Sequence, residues 1–420
     1  MSAARLVPVP GAWFSRPRAA QGGGRPASRG WQTTATLALA AALAGCAVLA
    51  PPPSPAPLLH DALFADPPRP AGADEVFTLD APMRAHLQAV IARTSRMADR
   101  PAALAESLDA LGDLRLDYDA SITRNAREAY AAHAGNCLSL VIMAAALAHE
   151  MGLEVGFQSA ATGDVFSREA DLTLRSGHVN LVLGNRRPPA RVPSALVGVT
   201  IDLDERLVVD FLPPEALKGI KLEVIDQRRV LAMYMNNRAV ETLVAQRPSE
   251  AYAWVREALR HDSGFWPAYN TLGVVYQRNG HLAAAAAVFE HTLVFDPRNV
   301  ATLGNLEQVR RAQGQEAQAS VLAARRLALE PYPPFYFLRL GQAAMAEGQF
   351  AKARSLFNRE LANRGPSHEL HYWLAQAQLA LGDTALAQQS LRRAMDWSQT
   401  PGQQARYSAK LDVLKARANP

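Results

Sequence analysis

Apolar positions along this chain change rhythm several times, and each rhythm predicts a different structure. Met83, Leu87, Val90 and Ile91 fall at helical spacing, and a second amphipathic stretch runs through Leu104, Leu108 and Leu111, which predicts two scaffold helices. Asn125-Ala-Arg-Glu128 is a capping-box start for a short helix that reaches His133 and breaks at Gly135. Leu138, Val141, Ile142 and Ala145 give the next segment one apolar face, Gly152 stops it, and Cys137 stands in its first turn. Four extended runs follow, at 153–158, 178–183, 196–203 and 206–211. From about residue 232 the pattern is helical throughout, and Gly280, Gly314, Gly348 and Gly382 recur 34 residues apart.

A 34-residue period carrying Tyr269, Leu272, Gly273, Tyr276, Ala285, Phe289 and Pro297 resembles the tetratricopeptide repeat. Adding the period recovers Leu306, Gly314, Ala319 and Pro331, then Phe337, Leu340, Gly341, Gly348, Ala353 and Phe357, then Leu374, Gly382 and Ala387. Residues 232–265 read as a degenerate first repeat, with Ala239, Tyr252 and Asp262 in register and Gln246 in place of the turn glycine. The expected array spans 232–401, followed by a capping helix and tail at 402–420. The resemblance implies a groove that receives a protein or peptide partner; a rigid spacer or a self-association surface is the alternative.

At 420 residues the chain is long for a single core, so two globular domains are expected. The formal charge of +5 resides in residues 1–45, where Arg5, Arg16, Arg18, Arg25 and Arg29 meet no acid, and the remainder balances. No basic patch is left for phosphates, so nucleic acid is not an expected partner. After those arginines come an apolar run from Leu37 to Leu43 and then Leu43-Ala44-Gly45-Cys46, which resembles a bacterial lipoprotein signal. The resemblance implies removal of 1–45, acylation of Cys46 and attachment to a membrane through that lipid. Ala47 after the cysteine favours the periplasmic face of the outer membrane by the same analogy. A short anchor or an uncleaved leader is the alternative, although the apolar run is too short to span a bilayer. Residues 46–79, rich in proline, read as a semi-rigid tether. With Cys46 lipidated, Cys137 has no partner for a disulfide.

Chemistry is therefore sought at Cys137. A helix N-terminus stabilises negative charge, which favours the thiolate and supplies donors for an oxyanion. His178 opens the second extended run and Asp210 ends the fourth, so neighbouring strands can present imidazole and carboxylate in line toward the cysteine, as a Cys-His-Asp triad requires. Residues 80–212 resemble a bacterial transglutaminase-like domain: Gly135-Asn136-Cys137 matches its cysteine motif, Ser176-Gly177-His178-Val179 its histidine strand and Val208-Val209-Asp210-Phe211 its aspartate strand. With the connecting segment, this domain is expected to occupy 80–231. The implied fold class is an α+β papain-like core followed by an all-α tetratricopeptide solenoid.

The resemblance implies amide chemistry through a thioester, with water or an amine as acceptor. Family members also include inactive relatives, so a non-catalytic assembly or peptide-binding adaptor is the competing class. Two positions depart from the family: Leu138 stands where many members carry an aromatic residue, and Asp202 in Thr200-Ile201-Asp202-Leu203 competes with Asp210 as the acid. His133 and Asn136 read as turn formers, Asn180 as structural, and Asp117 with Asp119 as a solvated turn. His149-Glu150 lacks a second histidine and His368 with His371 is only a helical pair, so neither metal nor cofactor is expected. Ile220, Leu222, Val224 and Ile225 form an apolar join expected to seat the array against the strand bearing Asp210.

Overall fold

A computed structural model describes residues 54–64, 69–70, 72–94, 96–108, 114, 116–160, 165–169, 172–184, 198–201, 206–211, 221–398 and 400–418. The leader 1–45, Cys46, Asp202 and Ile220 lie outside the described residues. The N-terminal part runs α1 (Ala73–Val76), α2 (Ala81–Ala92), α3 (Arg100–Leu108), β1 (Asp117–Tyr118), α4 (Ala126–Ala132), β2 (Ala134–Gly135) and α5 (Cys137–Glu150). Strands β3 (Val155–Ala160), β4 (Val165–Glu169), β5 (Leu172–Ser176), β6 (Val179–Leu183), β7 (Gly198–Ile201), β8 (Leu207–Asp210) and β9 (Leu222–Ile225) follow. The array comprises α6 (Gln227–Val244), α7 (Pro248–His261), α8 (Trp266–Arg278), α9 (Leu282–Phe295), α10 (Val300–Ala312) and α11 (Glu316–Leu329). It continues with α12 (Tyr336–Ala346), α13 (Phe350–Arg364), α14 (His368–Ala380), α15 (Thr384–Asp396) and α16 (Pro401–Ala418).

Helix α5 is the centre of the N-terminal part. Every residue from Leu138 to Ala148 is buried, as expected for a helix that is apolar all round and packed on all sides. Beside it lies a five-stranded antiparallel sheet in the order β7-β8-β6-β3-β9. The β4–β5 hairpin and strand β9 add to the four extended runs legible in the sequence. Strand β9 also corrects the expected join: Phe157 of β3 pairs with Ile225, so the connection to the array extends the edge of the sheet away from β8, and Val224 is 79% exposed. Backbone pairing, not burial of an apolar linker, fixes where the array begins.

Each helix pair of the array turns through a left-handed residue at the period read from the sequence: Gly280 (φ 81°), Gly314 (73°), Gly348 (72°) and Gly382 (85°). Gln246 holds the same conformation at φ 60° without a glycine. Within the pairs, bulk on one helix matches its absence on the other. A Cβ on Gly273 would lie 2.3 Å from the buried Phe289 ring, and one on Gly341 would lie 2.3 Å from Phe357. At the equivalent positions of the first and last pairs, Ala239 faces the smaller Val255 in register and Ala375 faces Leu391, all four buried.

One continuous apolar core runs from Phe64 through α5 and the sheet to Val309 of α10. Leu338, Phe357 and Leu374 belong to a second cluster, and Ala375, Leu391 and Leu411 to a third. Leu327 and Leu340, on the helices either side of the break between the first and second clusters, remain 58% and 43% exposed. The segment expected as a tether is also partly docked. Phe64 stacks on Tyr252 with centroids 4.1 Å apart, the Tyr252 hydroxyl donates to Asp61 at 2.7 Å, and the Tyr276 hydroxyl donates to the Leu58 carbonyl at 2.9 Å. Aromatic stacking and directed hydrogen bonds override the extended preference of the prolines around them.

Two expectations follow from this packing. A chain ending at residue 334 should be soluble and keep the thermal stability of its N-terminal part, whereas one ending at residue 226 should melt at lower temperature or aggregate, because it strips the shared core. Equal melting temperatures for the N-terminal part in both would refute a shared core. Gly273→Ala should destabilise the folded chain by about 1–3 kcal/mol in chemical denaturation, the range for overpacking against a ring that is already enclosed.

Candidate functional site

The first turn of α5 is built by local rules. Asn136 caps the helix by accepting the Ser139 N–H at 2.9 Å and the Ser139 hydroxyl at 2.8 Å. Gly135 has no alternative, since a Cβ there would meet Ser139 Cβ at 2.7 Å. The preceding helix starts with the capping box read from the sequence, Asn125 and Glu128 exchanging bonds at 3.0 and 2.9 Å. It ends at His133 in a left-handed turn, φ 49°. Cys137 thus opens α5 half-buried and outside any disulfide.

The sheet brings the other residues to this point. Strand β6 pairs antiparallel with β8, Leu181 opposite Val209, so His178 just before β6 comes beside Asp210 at the end of β8. His178 Nε2 and Asp210 Oδ2 are 2.7 Å apart, with both residues buried. Asn180, on the same face as His178, donates from Nδ2 to the same carboxylate oxygen at 3.2 Å. The remaining ring nitrogen, Nδ1, is buried without a well-aligned hydrogen bond, and the Cys137 side chain lies close enough to perturb it. Burial opposes a charged imidazole, but the hydrogen bond to Asp210 and the contact and charge of Cys137 outweigh it and raise the His178 pKa to about 10. Cys137, His178 and Asp210 therefore meet in one site. Cys46 and the competing acid Asp202 lie outside the described residues.

One neighbour of the site was not legible in the sequence. Strand β1 runs parallel to β2, with Tyr118 opposite Gly135, which carries the Tyr118 hydroxyl to the backbone N–H of Cys137. Burial and then the charge at Cys137 push the phenol well above its usual range, against the hydrogen bond from that N–H, so it remains an O–H donor. The only signal in the sequence was a two-residue extended stretch, too short to separate from a turn. Asp119 also differs from the solvated turn expected of it: it is buried and accepts the Ser121 N–H at 3.0 Å and Arg124 Nη2 at 2.9 Å. Burial pushes its carboxyl up, but those bonds outweigh it and hold the pKa below the usual value.

His368 Nδ1 meets the Tyr407 hydroxyl at 2.8 Å, and burial together with Arg393 lowers the His371 pKa to about 4. Among the described residues no three His, Cys, Asp or Glu side chains are grouped to hold a metal.

A raised imidazole pKa stabilises the folded chain fully below the unfolded value of 6.5, and that contribution is lost as pH climbs through about 10. Between those limits, chemical denaturation of the wild type should show stability falling with pH more steeply than in His178→Gln. Parallel profiles would contradict a protonated ring.

A family model described as Tetratricopeptide repeat matches residues 368–401. No curated protein matches the chain. Among solved structures, a thermophilic tetratricopeptide protein of Thermus thermophilus is 18% identical, covering 43% of this chain and 98% of its own, with a TM-score of 0.27. PilF of Pseudomonas aeruginosa is likewise 18% identical, covering 45% of this chain and 94% of its own, with a TM-score of 0.25. The C-terminal part of the chain is a helical solenoid that carries tetratricopeptide repeats.

Proposed function

We propose that the chain is a cell-envelope lipoprotein, held through Cys46 at the periplasmic face of the outer membrane, whose papain-like, transglutaminase-type domain attacks amide carbonyls with Cys137. The observation that carries this reading is the buried His178–Asp210 hydrogen bond of 2.7 Å beside a cysteine in the first turn of a helix. Tetratricopeptide repeats bind protein partners, and they give the chain an interaction role alongside the chemistry.

The reaction runs from the charges of the site. Asp210 holds Nε2, so the ring keeps one orientation and presents Nδ1 to the sulfur. With the ring protonated on both nitrogens, the thiol proton already rests on Nδ1, and the Cys137 thiolate adds to the amide carbon. A substrate oxygen arriving there takes the Cys137 N–H that Tyr118 now accepts, and the Tyr118 O–H donates to the resulting oxyanion. Collapse breaks the C–N bond, with the Nδ1 proton leaving on the amine, and forms a thioester. Water then attacks the thioester with His178 as base, releasing acid and thiol; an amine in place of water gives acyl transfer. Water is favoured as the default acceptor.

Two variants test the thiol site. Cys137→Ser should fold as the wild type but abolish amide turnover, because an alcohol ionises far less readily. In the wild type, iodoacetamide should label Cys137 far faster than a model thiol, and His178→Ala should abolish that excess. An active serine variant, or ordinary labelling of the wild type, would sink the mechanism.

A further inference from the structure

We propose that the first helix of the array positions the nucleophile, acting through Thr123 on Asn136, so that the reactivity of Cys137 depends on the repeats. The proposal deepens the thiol reading and rests on it.

Thr123 is 1% exposed and its polar groups are all held. Its N–H donates to Glu241 Oε1 at 2.6 Å, and its carbonyl accepts Arg238 Nη1 at 3.2 Å. Its hydroxyl oxygen accepts Asn237 Nδ2 at 3.3 Å and Asn136 Nδ2 at 2.9 Å. Three of these four partners lie within five residues on α6, and the fourth is the cap of α5. Arg238 Nη1 also donates to Glu241 Oε2 at 2.9 Å, which fixes the carboxylate that receives the Thr123 N–H.

The cap is thus gripped from both ends of one amide. Asn136 Oδ1 binds the first turn of α5 through Ser139, and Asn136 Nδ2 binds Thr123. A second tie closes the loop, since the Arg124 N–H donates to Ser139 Oγ at 2.8 Å. Asn136 is bonded directly to Cys137, so a change in its orientation turns the Cys137 N–H and moves the sulfur relative to His178 Nδ1. Asn136 also adjoins Gly135, which pairs with Tyr118. Sulfur, oxyanion donor and phenol consequently share one support, and that support is anchored on the array. Glu241, Arg238 and Asn237 are positioning residues in this arrangement, since none of them touches the site itself.

The test is the rate of iodoacetamide labelling at Cys137 in the full-length chain, read by peptide mass across a range of pH and accompanied by thermal melts. Thr123→Ala removes the hydroxyl that accepts Asn136, and Glu241→Gln leaves one acceptor oxygen for two donors, the Thr123 N–H and Arg238; each should slow labelling about tenfold and move the midpoint of its pH profile. Thr123→Ser keeps the bridging hydroxyl and should react as the wild type. The Thr123→Ala/Glu241→Gln double variant should be no slower than the slower single variant, because both cut the same chain. Wild-type rates and midpoints in Thr123→Ala and Glu241→Gln would overturn the proposal, as would equal slowing by Thr123→Ser. Strictly multiplicative losses in the double variant would overturn it too. A wild-type Cys137 that reacts no faster than a model thiol would instead bring down the thiol reading, and the proposal with it.

Discussion

The buried hydrogen bond between His178 and Asp210 is the constraint on which the N-terminal part of the molecule depends. Neither group tolerates burial alone: removing one partner of a buried charged pair costs about 3–5 kcal/mol, because the other is left uncompensated. The pair therefore requires β6 and β8 to be neighbours in one register, and a slip by a single residue would turn His178 to the opposite face. Asn180 reinforces that register by donating to the same carboxylate oxygen. The five-stranded sheet and the apolar helix beside it then set where a group facing Nδ1 must lie, and Cys137 is the residue found there.

The same economy joins the two halves. Strand β9 belongs to the sheet by its pairing with β3 and to the array by its continuation into α6, whose first turn is capped by Asp226 accepting the Arg229 N–H at 2.9 Å. The core passes without interruption from the sheet into the first repeats, and it stops only where the last repeats begin a cluster of their own. The early repeats are thus part of the scaffold of the site, while the later repeats are free to differ in stability and contacts. Burial raises the pKa of the Glu241 carboxyl even as Thr123 and Arg238 bind it, so the seam between the halves holds a charged group that would be costly to leave unpaired.

Much of this was legible in the residues, for identifiable reasons. The 34-residue period locates the turns because a left-handed turn and close helix contact each demand small residues at fixed offsets, and even Gln246 keeps the turn without the glycine. The capping box at Asn125 and the thiol at the start of α5 are short-range features, and short-range features survive in a linear pattern. What was not legible depended on partners distant in sequence. Tyr118 gains its place from a parallel pairing with Gly135, Thr123 from α6 more than a hundred residues later, and residues 58–64 from aromatic rings beyond residue 250. The apolar join misled because its alternation was that of an edge strand, which pairs through its backbone and leaves Val224 in solvent.

The protonation state of His178 tests the account most directly, since the orientation of the ring, its charge and the proposed activation of the thiol all converge on it. Nitrogen-15 NMR of the imidazole in the folded full-length chain reports both ring nitrogens separately. The expected result is a ring protonated on both nitrogens at neutral pH that titrates only near pH 10, and whose pKa falls when Cys137 is replaced by alanine. A ring that is neutral at pH 8, titrates near the ordinary value of 6.5 and ignores the loss of Cys137 would contradict it.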